Sequence, residues 1–196
     1  MMIDYLSSII LKYFIRSSVI ENTVENKEIY KYGAEITISS FLNIILVLLL
    51  GFITSEIVGG IVFLFVLISM RSLTGGYHAD TYFRCNLILC LNFISLVIIY
   101  KITPLNLSII DVIIGVLASL IPIIIFAPVD NANKRTTMER KGRLKILAVI
   151  LGTIYGSAAV VLYVFNYKIG IMVLYTLLSV SVALITAKFK ERKWLL

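Results

Sequence analysis

The chain has 196 residues, of which 60% are hydrophobic and only 15% charged, and its mean hydropathy is +1.00. That is more apolar surface than a single water-soluble core of this size can bury, so a soluble globular domain is excluded and a lipid environment is required. The 18 Lys plus Arg against 11 Asp plus Glu give +7, which in a soluble protein would suggest nucleic acid; here membrane topology accounts for it, and no nucleic-acid partner is expected.

Residues 1–20 read as a helix lying in the membrane interface. Asp4, Ser8, Lys12 and Arg16 recur every four residues, drifting only about 40° per step around a helix axis, while Leu6, Ile10, Tyr13 and Phe14 supply its apolar side. The start has no leading cluster of positive charge and its apolar run is interrupted, so it does not read as a cleaved secretory signal. A second polar stretch has Asn22 as an N-cap with Glu25 three residues on, and Glu25 and Glu28 suit the positive end of a helix dipole. It leads into six apolar segments at about 36–53, 57–70, 86–101, 108–127, 146–165 and 169–187. The second and third are short for a span of roughly 20 residues, so each is expected to continue into its flanking loop or to sit in locally thinned lipid. The expected fold class is all-α: a polytopic bundle of about six transmembrane helices with an N-terminal interfacial amphipathic helix. One membrane-embedded domain covers 1–196, with 1–35 cytoplasmic or interfacial, 36–187 the bundle and 188–196 a cytoplasmic tail.

Basic residues alternate sharply between the two sides of this arrangement. Sixteen fall at the amino end, in the second and fourth connections and at the carboxyl end, against only Lys101 and Lys168 opposite. By the positive-inside rule both termini, and the segment between the second and third spans, are cytoplasmic.

That segment, from Arg71 through Gly75, Gly76, His78, Asp80 and Arg84 to Cys85, is the chemically richest. The only histidine precedes a cysteine by seven residues; imidazole titrates near neutral pH and can take a thiol proton, and the thiolate attacks carbonyl carbon. On one continuous helix the two would lie about 10.5 Å apart along the axis, so the chain must fold back to join them. Gly75 and Gly76 permit that reversal, and Cys85 in the first turn of the third span would gain from the helix dipole. A polar turn that merely holds one His and one Cys explains the same spacing, and spacing alone favours that plainer account. Asp80 is either the third member of a triad or, more simply, a solvated loop acid. Cys85 and Cys90 are too few for a disulfide framework and would lie on different faces of one helix, and Cys90 reads as a packed thiol. One histidine, two poorly placed cysteines and Asp80 form no recognisable ligand set, so no metal and no cofactor are expected. The fourth connection, with Lys134, Arg135, Arg140 and Lys141, sets topology and meets anionic headgroups; it also suits capture of an acidic peptide.

At these residues the chain resembles the accessory gene regulator B (AgrB) family of bacterial quorum-sensing membrane peptidases. The matching pieces are Arg71, Gly75-Gly76, His78-Ala79 and Cys85, then Ala127-Pro128-Val129-Asp130 with Asn133-Lys134. The likeness covers nearly the whole chain. It implies a bacterial cytoplasmic membrane enzyme that removes the acidic C-terminal tail of a small AgrD-like propeptide and promotes cyclisation of the remainder to a thiolactone or lactone signal. It further implies His78 as general base and Cys85 as nucleophile, with Arg71, Gly75 and Gly76 shaping the site. Partners are then the propeptide and the bilayer, with a homodimer as an open option. The competing class is a non-enzymatic peptide transporter or adaptor, which predicts that Cys85→Ala still works. A lipid-modifying transferase would need clustered intramembrane acids, and the spans have almost none.

Overall fold

In the computed structural model, residues 2–17, 20, 23–75, 81–102, 107–129 and 137–193 are described. Seven helices occupy them: α1 (Met2–Arg16), α2 (Val24–Ile53), α3 (Ile57–Thr74), α4 (Tyr82–Ile102), α5 (Ile109–Phe126), α6 (Met138–Phe165) and α7 (Tyr167–Lys193). No strand occurs among the described residues, and one isolated parallel bridge joins Gly75 to Val129. The six helices after α1 are each long and apolar enough to cross a membrane, because in lipid only internally hydrogen-bonded segments are stable. The protein is an all-α, multi-pass membrane bundle with one additional amphipathic helix.

The expected boundaries need two corrections. The N-cap of α2 is Thr23, one residue beyond Asn22, because the Thr23 hydroxyl oxygen accepts from the Asn26 N–H at 3.3 Å. The basic group placed in the fourth connection is largely helical: Arg140, Lys141, Arg143 and Lys145 belong to the opening turns of α6. Arg71 and Arg84 are likewise in helices, in the last turn of α3 and the first turn of α4. The short second and third spans do extend into their flanks, to Thr74 and back to Tyr82.

The centre of the bundle is α7, which packs against α3, α4, α5 and α6. Its Met172, Leu177 and Leu184 are almost wholly enclosed, as are Phe63 and Met70 on α3. The Phe63 and Phe93 rings meet at 5.4 Å between centroids, tilted at 50°, and join α3 to α4. The remaining helices bury one side only and turn leucine, isoleucine and phenylalanine outward, as a lipid-facing surface requires. α1 packs on α2 with an unexpected face: Ser7 is fully buried, whereas Tyr5, Ile9 and Tyr13 are exposed. Lys31 of α2 pairs with Asp4 at 2.7 Å, and Ile10, Leu11 and Phe14 of α1 are partly buried as well.

Successive spans alternate in direction. At one end, Lys101 Nζ donates to the Thr54 carbonyl at the C-terminus of α2, and Lys168 lies 5.8 Å from the Tyr100 ring centroid. The two basic residues counted on the sparsely charged side are therefore at the same end of the bundle. The opposite end gathers the C-terminus of α3, the N-termini of α4 and α6, and the carboxyl end of α7.

Candidate active site

Cys85 is in the first turn of α4, half-buried, with its N–H bonded to the Thr81 carbonyl at 3.1 Å. The Thr81 hydroxyl accepts from the Arg84 N–H at 3.3 Å and so satisfies an N-terminal donor of the helix. Cys85 thus lies in the first turn of α4, at the N-terminal end of the third span. Cys90 sits more than a turn deeper, also half-buried and also free.

The turn carrying Cys85 is tied to α2. Tyr82 donates its hydroxyl proton to Glu35 Oε2 at 3.0 Å, and Ser39 donates to Asn86 Oδ1 at 3.0 Å. Ser7 of α1 reaches the other Glu35 oxygen at 3.4 Å. None of Glu35, Tyr82, Ser39 or Asn86 was expected from sequence to bear on the site. The available signal was periodic: Glu35, Ser39 and Asn43 recur at four-residue intervals in one apolar helix, and Tyr82, Asn86 and Cys90 do so in another.

A second tie closes the same end. Helix α3 stops at Gly75, whose φ of 69° and ψ of −148° suit glycine alone. Helix α5 stops at Ala127, held extended at φ −72° and ψ 145° because a following proline disfavours helical backbone in the residue before it. The two ends then meet: the Val129 N–H donates to the Thr74 carbonyl at 3.0 Å, and Val129 bridges Gly75. A Cβ at position 75 would land on the Val129 carbonyl oxygen. Gly75 and Ala127-Pro128-Val129, more than fifty residues apart, are one structural unit.

Of the other expected residues, Arg71 is partly buried in the last turn of α3, Arg84 and Arg140 are exposed, and Lys141 is partly buried. Gly76, His78, Asp80, Lys134 and Arg135 lie outside the described residues. Among those described, no group of three or more His, Cys, Asp or Glu could hold a metal ion. An apolar groove of about 390 Å³ between α2 and α3, lined by Ile44, Leu64, Phe65, Ile68, Ser69 and Ser72, contains no titratable group. Cys85 lies at the same end of the bundle as the Gly75–Val129 bridge and the basic start of α6.

Residues 7–186 match the family Accessory gene regulator B. Two proteins of Clostridium perfringens that bear the name AgrB-like are similar to the chain, at 32% identity (strain SM101) and 30% identity (strain 13). Each match spans 164 residues, covering 76% of this chain and 74% of the relative. An AgrB-like protein of Clostridium beijerinckii is 30% identical over 151 residues, covering 76% of this chain and 73% of its own. No solved structure matches the chain.

Proposed function

We propose, from the premise that the chain belongs to the accessory gene regulator B family, that it is a membrane cysteine endopeptidase acting on a small signalling propeptide. The observation that supports this most is the position of Cys85, a half-buried thiol in the first turn of α4. The positive-inside distribution supports placing that end, with both termini, in the cytoplasm.

In this reading His78 takes the Cys85 proton, and the thiolate sulfur attacks the scissile carbonyl carbon. The tetrahedral intermediate collapses with cleavage of the C–N bond; His78 returns the proton to the departing amine, and the acidic tail leaves. The retained part stays on Cys85 as a thioester, which conserves acyl-transfer potential. A thiol or hydroxyl within the bound peptide then attacks that thioester, closing the ring and releasing the Cys85 thiolate. Water must be excluded for ring closure to outrun hydrolysis, a need that a site at the end of a membrane-spanning helix suits. Arg84, Lys134, Arg135, Arg140 and Lys141 are the basic residues assigned to the acidic tail.

Mass spectrometry tests the covalent step. Propeptide lacking its ring-closing nucleophile should accumulate on Cys85 as a hydroxylamine-sensitive adduct, absent in Cys85→Ala, retained in Cys90→Ala and formed far more slowly in His78→Ala. Tail release that persists in Cys85→Ala would refute the reading.

A further inference from the structure

Helices α2 and α4 run parallel at a constant sequence offset. Glu35 pairs with Tyr82, Ser39 with Asn86 and the Thr54 carbonyl with Lys101, each 47 residues apart. Between the lower rungs and Lys101 the seam turns apolar, with Val47 and Phe93 both wholly buried. Along this seam the polar rungs are not evenly satisfied. One turn deeper than Ser39, the buried Asn43 Oδ1 has no hydrogen-bond partner among the described residues, whereas both rungs at the Cys85 turn are bonded.

Those two rungs bracket the cysteine. Tyr82 is three residues before Cys85 and Asn86 one after it, so hydrogen bonds on both sides resist rotation of the helical turn that carries the sulfur. The first turn of a helix is where fraying is easiest, because its N–H groups lack partners within the helix. Glu35 brings into the α2–α4 contact the acceptor oxygen that the Tyr82 hydroxyl uses. The Ser39–Asn86 contact and the Thr81 cap are the further hydrogen bonds seen at this turn among the described residues.

We propose that Glu35 is a positioning residue which, through the Tyr82 hydroxyl, fixes the rotation of the Cys85-bearing turn against α2. This rests on the reading of Cys85 as nucleophile. Glu35 acts on Tyr82, and Tyr82 on the turn; neither is assigned contact with the peptide. A fixed turn aims the sulfur along one direction, and small errors in aim at the point of attack are costly in rate.

The test uses the full chain in lipid vesicles and iodoacetamide as the probe, at a pH where thiols are ionised, with alkylation of Cys85 and Cys90 followed separately by peptide mass spectrometry. Tyr82→Phe removes one oxygen and keeps the ring, so folding is preserved; Glu35→Ala removes the acceptor. Each should accelerate alkylation of Cys85 by about fivefold by freeing the turn, and the double variant should be no faster than the faster single, since both break one bond. Glu35→Gln, which keeps a carbonyl acceptor, should stay within about twofold of the parent. Cys90 should react at the parent rate throughout.

The proposal is overturned if Cys85 alkylation is unchanged in both single variants, or if their effects multiply in the double variant. It is equally overturned if Cys85 and Cys90 accelerate together, which would mean loosening of the whole bundle. These rates report helix geometry alone, so tail release surviving in Cys85→Ala would remove the nucleophile reading and leave the alkylation result standing.

Discussion

Gly75→Ala is expected to damage the protein twice over. The backbone at position 75, with φ 69° and ψ −148°, lies in a region that residues with a Cβ essentially do not enter, and holding one there costs about 1–3 kcal/mol. The new methyl would also collide with the Val129 carbonyl oxygen, a backbone atom with no rotamer in which to escape. Separating the strands of the bridge would sacrifice the Val129 N–H bond to Thr74, about 1 kcal/mol more. The combined loss of about 2–4 kcal/mol should lower the thermal midpoint in detergent by roughly 5–15 °C for a chain of this size. Tail release at a fixed temperature should fall as well, since the family-matched segments around Gly75 and Val129 would no longer meet. Gly142→Ala is the control of opposite sign. It lies within α6, a Cβ there meets nothing within 4 Å, and a helical Gly→Ala change should stabilise by about 0.5–1 kcal/mol. Equal midpoints for Gly75→Ala and the parent would refute the account of the Gly75–Val129 tie.

An impermeant thiol reagent should label Cys85 in inside-out vesicles and not from the exterior of intact cells, given sixteen basic residues at one end of the bundle and two at the other; efficient labelling from outside would invert the topology. Arg140→Gln with Lys141→Gln should raise the propeptide concentration needed for half-maximal cleavage several-fold at low salt, and the difference from the parent should close as added salt screens the charges. A difference that persists unchanged at high salt would mean these residues act through something other than electrostatic capture. The Lys31 ammonium, by hydrogen bond and by charge, holds the Asp4 carboxyl below its ordinary value of 3.8. The help it gives in seating α1 is therefore complete above that value and lost as pH falls through the depressed one. Asp4→Asn should abolish this pH dependence in hydrogen exchange of α1, and α1 protection in the variant that still declines over the same acid range would assign the effect elsewhere.

Lipid solubility, the number of spans and their alternation were legible in the sequence, because each depends on local properties. Twenty or so apolar residues cross a bilayer wherever they occur, and basic residues mark one side. The family resemblance was legible in Arg71, Gly75, Cys85 and Ala127-Pro128-Val129. Contacts between distant segments were not. Nothing local to Gly75 announces that Val129 will lie against it, since a glycine with positive φ can end a helix without any partner. The N-terminal helix shows the same limit: its stripe of Asp4, Ser8, Lys12 and Arg16 was legible, but not that Ser7 beside it would be buried with Glu35 of α2 as a hydrogen-bond partner. Glu35, Ser39, Tyr82 and Asn86 each appeared as isolated polar residues near the ends of apolar runs. Only the parallel packing of α2 on α4, with its offset of 47 residues, brings them into register around Cys85. Such polar atoms are stable in lipid only when another segment supplies the partner, and the identity of that segment is fixed by how helices pack, which no short stretch of sequence encodes.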